Sequence, residues 1–148
     1  DESGNLQRLI LDLATSLAGR ENASLEVIHT WELAGESMLT HGRGRISRIE
    51  LELLRNATES RHKQALNELL KPYNLDTGRD NIHLVNGKAA ESICRLTQHK
   101  DVDLIVMGTL GRAGISGLFI GNTAENVLRE THTAVLTAKP DGFITPVH

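Results

Sequence analysis

Five glycines lie in the segment MGTLGRAGISGLFIGNTAENVL, which runs from residue 107 to residue 128. They are Gly108, Gly111, Gly114, Gly117 and Gly121. Glycine loses more conformational entropy on folding than any other residue, so this cluster indicates a sharp bend or a close approach to the backbone. The segment leads into a helix pattern, and a helix N-terminus offers amide groups and partial positive charge to an anion. We therefore interpret it as a phosphate or anion site, with a structural turn as the alternative.

Polar side chains in the same segment could complete such a site. Arg112 could make a charge-assisted contact to a phosphate, or be solvated. The hydroxyls of Thr109 and Ser116 could position phosphate oxygens, although hydroxyls are common in loops. Asn122 could bind phosphate or act as a helix N-cap, and Glu125 three residues later would make N-T-A-E a capping box.

Other chemistry is not supported by the pattern. Neither G-x-x-x-x-G-K-[ST] nor G-x-G-x-x-G follows the strand, which excludes the two common phosphate fingerprints. No Ser-His-Asp set or carboxylate pair stands out, so we assign no catalytic residue and expect any hydrolysis of a bound ligand to be slow. The histidines lack a helical i, i+4 pair, so we expect no metal site, and we expect His29 and His83 to pack in the core or at its rim. Cys94 is expected to be a small buried apolar residue.

Hydrophobic periodicity predicts helices and strands in alternation. The predicted helices are Leu6–Ala18 ending at Gly19, Ile46–Leu69 ending before Pro72, Ala90–Thr97 and Asn122–Arg129. The predicted strands are Leu25–Trp31, Asn81–Gly87, Asp103–Gly108 and Thr133–Ala138. This order predicts an α/β fold, a doubly wound parallel sheet sandwich, in which ligands bind beyond the carboxyl ends of the strands.

A second loop, from Leu33 to Arg45, would leave the same edge of the sheet as the glycine segment. It could close over a ligand or be a mobile connection without a role. The candidate contacts in it are Met38, Leu39, His41 and Arg43. Trp31, just before the loop, could cover a ligand or fill the core between sheet and helices.

Composition limits the partners. The chain has 148 residues, 39% of them apolar and 24% charged, with a formal net charge of −3. That balance fits one globular domain over residues 1–148, and it would not steer nucleic acid or an anionic membrane to the protein. The single cysteine suits a reducing compartment, so we expect a cytoplasmic location.

The spacing of Gly108, Gly111, Gly121 and Asn122 resembles the G-2x-G-9x-G-[S/T] pattern of the universal stress protein family, also called the UspA superfamily. The strand DLIVMG, the turn VNG and the final strand VLTAKP extend the resemblance along nearly the whole chain. The run GTLGRAGISGLFIGNTAENV with the tail KPDGFITPV is most similar to the second domain of the family's tandem E type. The resemblance implies a five-stranded parallel sheet of order 3-2-1-4-5 with four helices, as in adenine nucleotide alpha hydrolase-like folds.

The resemblance also implies a ligand. Met107 and Gly108 would lie on the adenosine side, whereas Gly111, Gly121, Asn122 and Thr123 would line the phosphates. The ligand would be ATP, AMP or another phosphate-bearing molecule, with Mg²⁺ present only alongside ATP. The implied partner is a second universal stress protein domain, in tandem or as a homodimer, paired through the Ala134–Ala138 edge.

Two features depart from the family pattern. Asn122 stands where nucleotide-binding members have a hydroxyl residue, and the family's first, central strand is not in the sequence. We therefore expect the chain to be one half of a tandem protein, without its first strand. The alternatives to a ligand-regulated stress-response protein are an interaction domain that binds no nucleotide and a weak ATPase.

Overall fold

The computed structural model describes residues 2–42, 44, 46–109 and 121–139. Helices and strands alternate through these residues, as the sequence predicts. One short helix is present in addition to the predicted ones. The helices are α1 (Glu2–Glu21), α2 (Glu36–His41), α3 (Arg48–Leu70), α4 (Ala89–His99) and α5 (Asn122–Glu130), and a 3₁₀ turn spans Lys71–Tyr73. The strands are β1 (Val27–Trp31), β2 (Ile82–Asn86), β3 (Leu104–Gly108) and β4 (Ala134–Ala138).

The strands pair in parallel, as predicted, but within the described residues they form two sheets of two strands. β1 pairs with β2, from Val27 opposite Ile82 to Trp31 opposite Asn86. β3 pairs with β4 in the same way, and its last residue, Gly108, lies opposite Ala138. These pairings confirm an α/β fold with parallel strands.

The first compact unit comprises Asp1–Leu25 and Ala89–His148, and we call it the β3–β4 unit. α1 packs on β3 and β4, and α4 packs on α5. The buried apolar residues of this unit are Leu6, Leu11, Cys94, Ile105, Ala124, Val127 and Ala138. Helices thus cover the sheet whose strand β3 leads into the glycine segment.

The second compact unit spans Glu26–Lys88, and we call it the β1–β2 unit. Its long helix α3 packs on β1, and Trp31, Leu66, Leu70 and Ile82 are its buried apolar side chains. α3 begins with a complete capping box: the Ser47 side chain accepts a hydrogen bond from the Glu50 N–H, and the Glu50 carboxylate accepts one from the Ser47 N–H.

Two local expectations were wrong. α1 continues through Gly19 to Glu21, and the left-handed residue after it is Asn22 with φ of 51°. Asparagine tolerates that conformation because its short polar side chain bonds locally, so a glycine is not needed. The predicted loop from Leu33 to Arg45 contains α2, which was missed because six residues are too few for a periodic pattern. Among the described residues, no helix is both long and apolar enough to cross a membrane.

Candidate functional site

The glycine segment leaves β3 through Thr109, whose position is fixed by the neighbouring strand. The Thr109 N–H donates to the Ala138 carbonyl at 2.9 Å, and its hydroxyl donates to the same oxygen at 3.3 Å. The residue is only 4% exposed. The Thr109 hydroxyl therefore donates its proton within the sheet, and it cannot donate to a phosphate unless this hydrogen bond breaks.

Gly108, the last residue of β3, lies directly beneath α1. A Cβ atom added there would come within 2.9 Å of Leu6 Cδ2 and 3.0 Å of Ile10 Cδ1. The close packing of α1 on β3 is thus a sufficient structural reason for glycine at this position. Met107, which was expected on the adenosine side, is half-buried in β3 opposite Thr137.

The helix that follows the glycine segment begins at Asn122, and its N-cap is Gly121. The expected N-cap role of Asn122, and with it the N-T-A-E capping box, is wrong because Asn122 is already the first helical residue. Gly121 has φ of −57° and ψ of 158°, a backbone conformation open to any residue, and no side chain caps the helix there. Its backbone conformation therefore does not account for a glycine at position 121.

The start of α5 can accept an anion. The first N–H groups of an α-helix have no partner within the helix, and the helix dipole adds partial positive charge there. Asn122 and Thr123 are both exposed residues. Glu125 lies in the first turn and is exposed as well, and its carboxylate opposes a bound anion. The favourable free energy of phosphate binding would have to exceed this repulsion.

The structure brings both ends of the segment into the β3–β4 unit, at the end of β3 and the start of α5. The remaining predicted contacts lie outside the described residues. They are Gly111 and Arg112, together with Ser116 and the intervening glycines Gly114 and Gly117. The site is therefore described at Met107, Gly108, Thr109, Gly121, Asn122 and Thr123 only.

The candidate flap residues lie in the β1–β2 unit, in and beside α2. Met38 is 76% exposed and Leu39 is half-buried. The exposed His41 Nδ1 is 2.8 Å from the Thr40 hydroxyl, whereas Arg43 lies outside the described residues. Trp31 is only 5% exposed, which supports its reading as a core residue.

A pair of histidines that the sequence did not predict links β1 to α3. His29 Nε2 lies 2.9 Å from His62 Nδ1, and Trp31 stacks on His62 with ring centroids 6.2 Å apart. Burial, and secondarily the charge of His62, lower the pKa of His29. His83, the other strand histidine, instead contacts the Glu26 carboxylate at 2.6 Å. The only local signal was the stripe Thr58, His62, Leu66 at helical spacing on α3.

Neither a metal cluster nor a reactive thiol is present in the described part of the chain. No group of three or more His, Cys, Asp or Glu side chains there could hold a metal ion. Cys94 is buried, as expected, and burial together with the nearby Glu130 raises the pKa of its thiol. A thiol held in the protonated form is a poor nucleophile.

Comparison with known proteins places the chain among universal stress proteins. The sequence profile described as "Universal stress protein family" matches residues 1–139. Universal stress protein E of Photorhabdus laumondii is 36% identical over 92 residues, which are 62% of this chain and 29% of the relative. The matched segment thus spans less than a third of the length of such curated relatives.

Solved structures share the fold of this chain. A protein of Pseudomonas aeruginosa PAO1, solved without a known function, is 30% identical with a TM-score of 0.66, over 88% of this chain and 40% of that one. A universal stress protein solved in complex with cAMP is 21% identical with a TM-score of 0.52, over 88% of this chain and 87% of that one. The second comparison bears on the fold alone.

Proposed function

The chain belongs to the universal stress protein family and resembles its E type, and from that premise we propose that it binds a phosphate-bearing ligand of the nucleotide class at the start of α5. The phosphate would lie against the first amides of the helix, at Gly121, Asn122 and Thr123. Met107 and Gly108 at the end of β3 would face the nucleoside. Ligand binding would regulate a stress response through pairing with a partner domain.

The observation that carries this proposal is the uncapped helix start. α5 has nine residues, its N-cap is a glycine, and no side chain satisfies its first amides within the described residues. Unsatisfied amides combined with the helix dipole favour phosphate groups. The exposed Asn122 amide can donate to a phosphate oxygen in place of the hydroxyl that other members carry.

The position of this helix start supports the same proposal. It follows a parallel strand through a glycine-rich segment, and ligands of α/β folds bind beyond the carboxyl ends of such strands. The complex of a related universal stress protein with cAMP supports the choice of adenine nucleotides as probes. We therefore propose ATP or AMP as the first ligands to test, with Mg²⁺ only alongside ATP.

The direct test compares nucleotide binding of the wild-type chain with that of Gly121→Val. Valine can adopt the backbone angles of Gly121, so the variant should fold, while its side chain blocks close approach of a phosphate. Calorimetric titration with ATP and AMP should show binding that this variant loses. Gly19→Val is the matched control, because an added Cβ at Gly19 meets nothing within 4 Å, and it should bind as wild type does. Binding that survives in Gly121→Val contradicts the proposed site.

The second candidate is an interaction domain that binds no nucleotide. It is favoured by the packing of Gly108 under α1 and by the use of the Thr109 hydroxyl within the sheet, since both explain site residues without a ligand. We propose that such a domain would pair with a second universal stress protein domain, as one half of a tandem protein or as a homodimer, through the edge Ala134–Ala138.

Leu136 on that edge is 37% exposed, so pairing would bury apolar surface. Leu136→Asp should then weaken association in sedimentation experiments, whereas Gly121→Val should leave association unchanged. Association that persists in Leu136→Asp excludes this edge. We also propose a cytoplasmic location, based on the single buried cysteine.

A further inference from the structure

His29 and His62 form the polar contact between β1 and α3 in the β1–β2 unit. Their facing nitrogens are 2.9 Å apart and their ring centroids 5.2 Å apart. Both rings are half-buried, and the nearly buried Trp31 stacks on His62 with an interplanar angle of 24°. A strand, a helix and an aromatic ring thus meet at one histidine–histidine hydrogen bond.

The number of protons on the pair decides whether this hydrogen bond can exist. A neutral imidazole has one donor nitrogen and one acceptor nitrogen, whereas an imidazolium has two donors. The neutral pair and the singly protonated pair can each supply one donor and one acceptor to the contact. The doubly protonated pair presents two N–H groups to each other and two positive charges at 2.9 Å, so the bond is lost.

The charged residues around His62 on α3 have both signs, and the exposed Glu59 lies three residues before it. Arg55 lies seven residues before His62, on the same face of α3, and forms an ion pair with Glu36 of α2. Arg61 and Lys63 flank His62 and are exposed.

On the strand side the pair faces no acid. Leu84 of β2 lies directly opposite His29. His83 pairs in register with Ile28, one residue along, so it and its partner Glu26 belong to the other face of the sheet. In the described part of the chain, neither ring of the pair is hydrogen-bonded to a carboxylate. No hydrogen-bonded carboxylate therefore offsets a second positive charge on either ring.

We propose that His29 and His62 form a proton-operated latch, which holds α3 on β1 while the pair carries at most one proton and opens when a second proton binds.

Opening would release the Trp31 ring from His62 and loosen the α3 contact with β1. The pKa of His29 is lowered from the usual 6.5 in the folded chain, so the folded state binds its proton less readily than the unfolded state does. The stability that depends on the neutral His29 ring is therefore fully present above about pH 6.5. It is lost as the pH falls from that value towards the lower pKa of His29 in the folded chain.

Trp31 provides the readout, because it is the only tryptophan in the chain. A buried indole that becomes exposed to water shifts its fluorescence to longer wavelength. We expect this shift in the full wild-type chain as the pH falls from about 6.5 to about 5, within the range in which histidines titrate. The midpoint of urea unfolding should fall over the same range.

Two variants separate the latch from general acid effects. His62→Gln keeps a hydrogen-bonding side chain but cannot be protonated, so it should lose the fluorescence shift. As the pH falls, the unfolding equilibrium constant of wild type should rise about tenfold more than that of His62→Gln for each unit by which the pKa of His29 is lowered. His83→Gln is the matched control, since it removes a strand histidine outside the pair, and it should retain the shift.

Imidazole nitrogen NMR of the same proteins counts the protons directly. The proposal expects two separate protonation steps for His29 and His62, the second coinciding with the Trp31 shift. A Trp31 shift that persists in His62→Gln overturns the latch. The proposal is also overturned if both rings become protonated in the wild-type chain while the emission wavelength of Trp31 and the hydrogen-exchange rates of the α3 amides stay unchanged.

Discussion

Replacing Gly108 with alanine tests whether this glycine serves the packing of α1 on β3. The new Cβ would lie 2.9 Å from Leu6 Cδ2, 3.0 Å from Ile10 Cδ1 and 3.2 Å from Leu6 Cγ. Carbon atoms pack best at about 3.5–4.0 Å, so these side chains must move by roughly half an ångström. Leu6 is only 4% exposed and has little room to do so.

The expected net effect is a modest loss of stability. Overpacking a core costs about 1–3 kcal/mol. Against this, alanine restricts the unfolded chain and stabilises by about 0.4–1 kcal/mol wherever the native backbone accommodates it. Gly108 lies in a strand without positive φ, so the gain applies here. Gly108→Ala should therefore lower the free energy of unfolding by roughly 1 kcal/mol.

A double-mutant cycle with Leu6→Ala identifies the cause. Truncating Leu6 removes two of the three close contacts and leaves only Ile10 Cδ1 at 3.0 Å, so Gly108→Ala in that background should be close to neutral, as measured by urea unfolding. The coupling between the two sites should then be about 1 kcal/mol. Gly19→Ala, which meets nothing within 4 Å, is the control and should be stabilising. Additive effects of Gly108→Ala and Leu6→Ala would refute the packing explanation.

Two further predictions concern α3 and the cysteine. Ser47→Ala removes the cap that accepts the Glu50 N–H and should cost about 1 kcal/mol in urea unfolding; the exposed Ser60→Ala is the control, and an equal loss there would argue against the cap. Cys94 is buried and its thiol pKa is raised, so a disulfide reagent should modify it at least about tenfold faster in urea than in the native chain; equal rates would contradict its burial.

Local patterns predicted most of the fold. The apolar run at Leu104–Gly108 predicted β3, because both faces of a parallel strand are covered. The predicted end of α1 and the predicted N-cap of α5 were wrong, because in each case two nearby residues suit the terminal position. Asn22 rather than Gly19 takes the left-handed position after α1, and Gly121 rather than Asn122 is the N-cap of α5. Both asparagine and glycine suit either position, so composition alone does not decide between them.

The histidine pair depends on contacts that no local pattern contains. His29 and His62 are 33 residues apart in sequence, on a strand and a helix whose relative rotation decides whether they meet. At the candidate site, the packing role of Gly108 likewise cannot be predicted from the local sequence. Its spacing from Gly121 fits a family pattern, yet the reason for glycine visible in the structure is Leu6 and Ile10 of another helix.

The most direct test of the central claim is an NMR titration of the amide groups at the start of α5 with AMP, ATP and adenosine. A phosphate bound at the uncapped helix start should shift the Asn122 and Thr123 amides saturably. AMP and ATP should produce this shift, and adenosine, which lacks a phosphate, should not. Amides that do not respond to either nucleotide, or that respond equally to adenosine, would contradict a phosphate site at this helix.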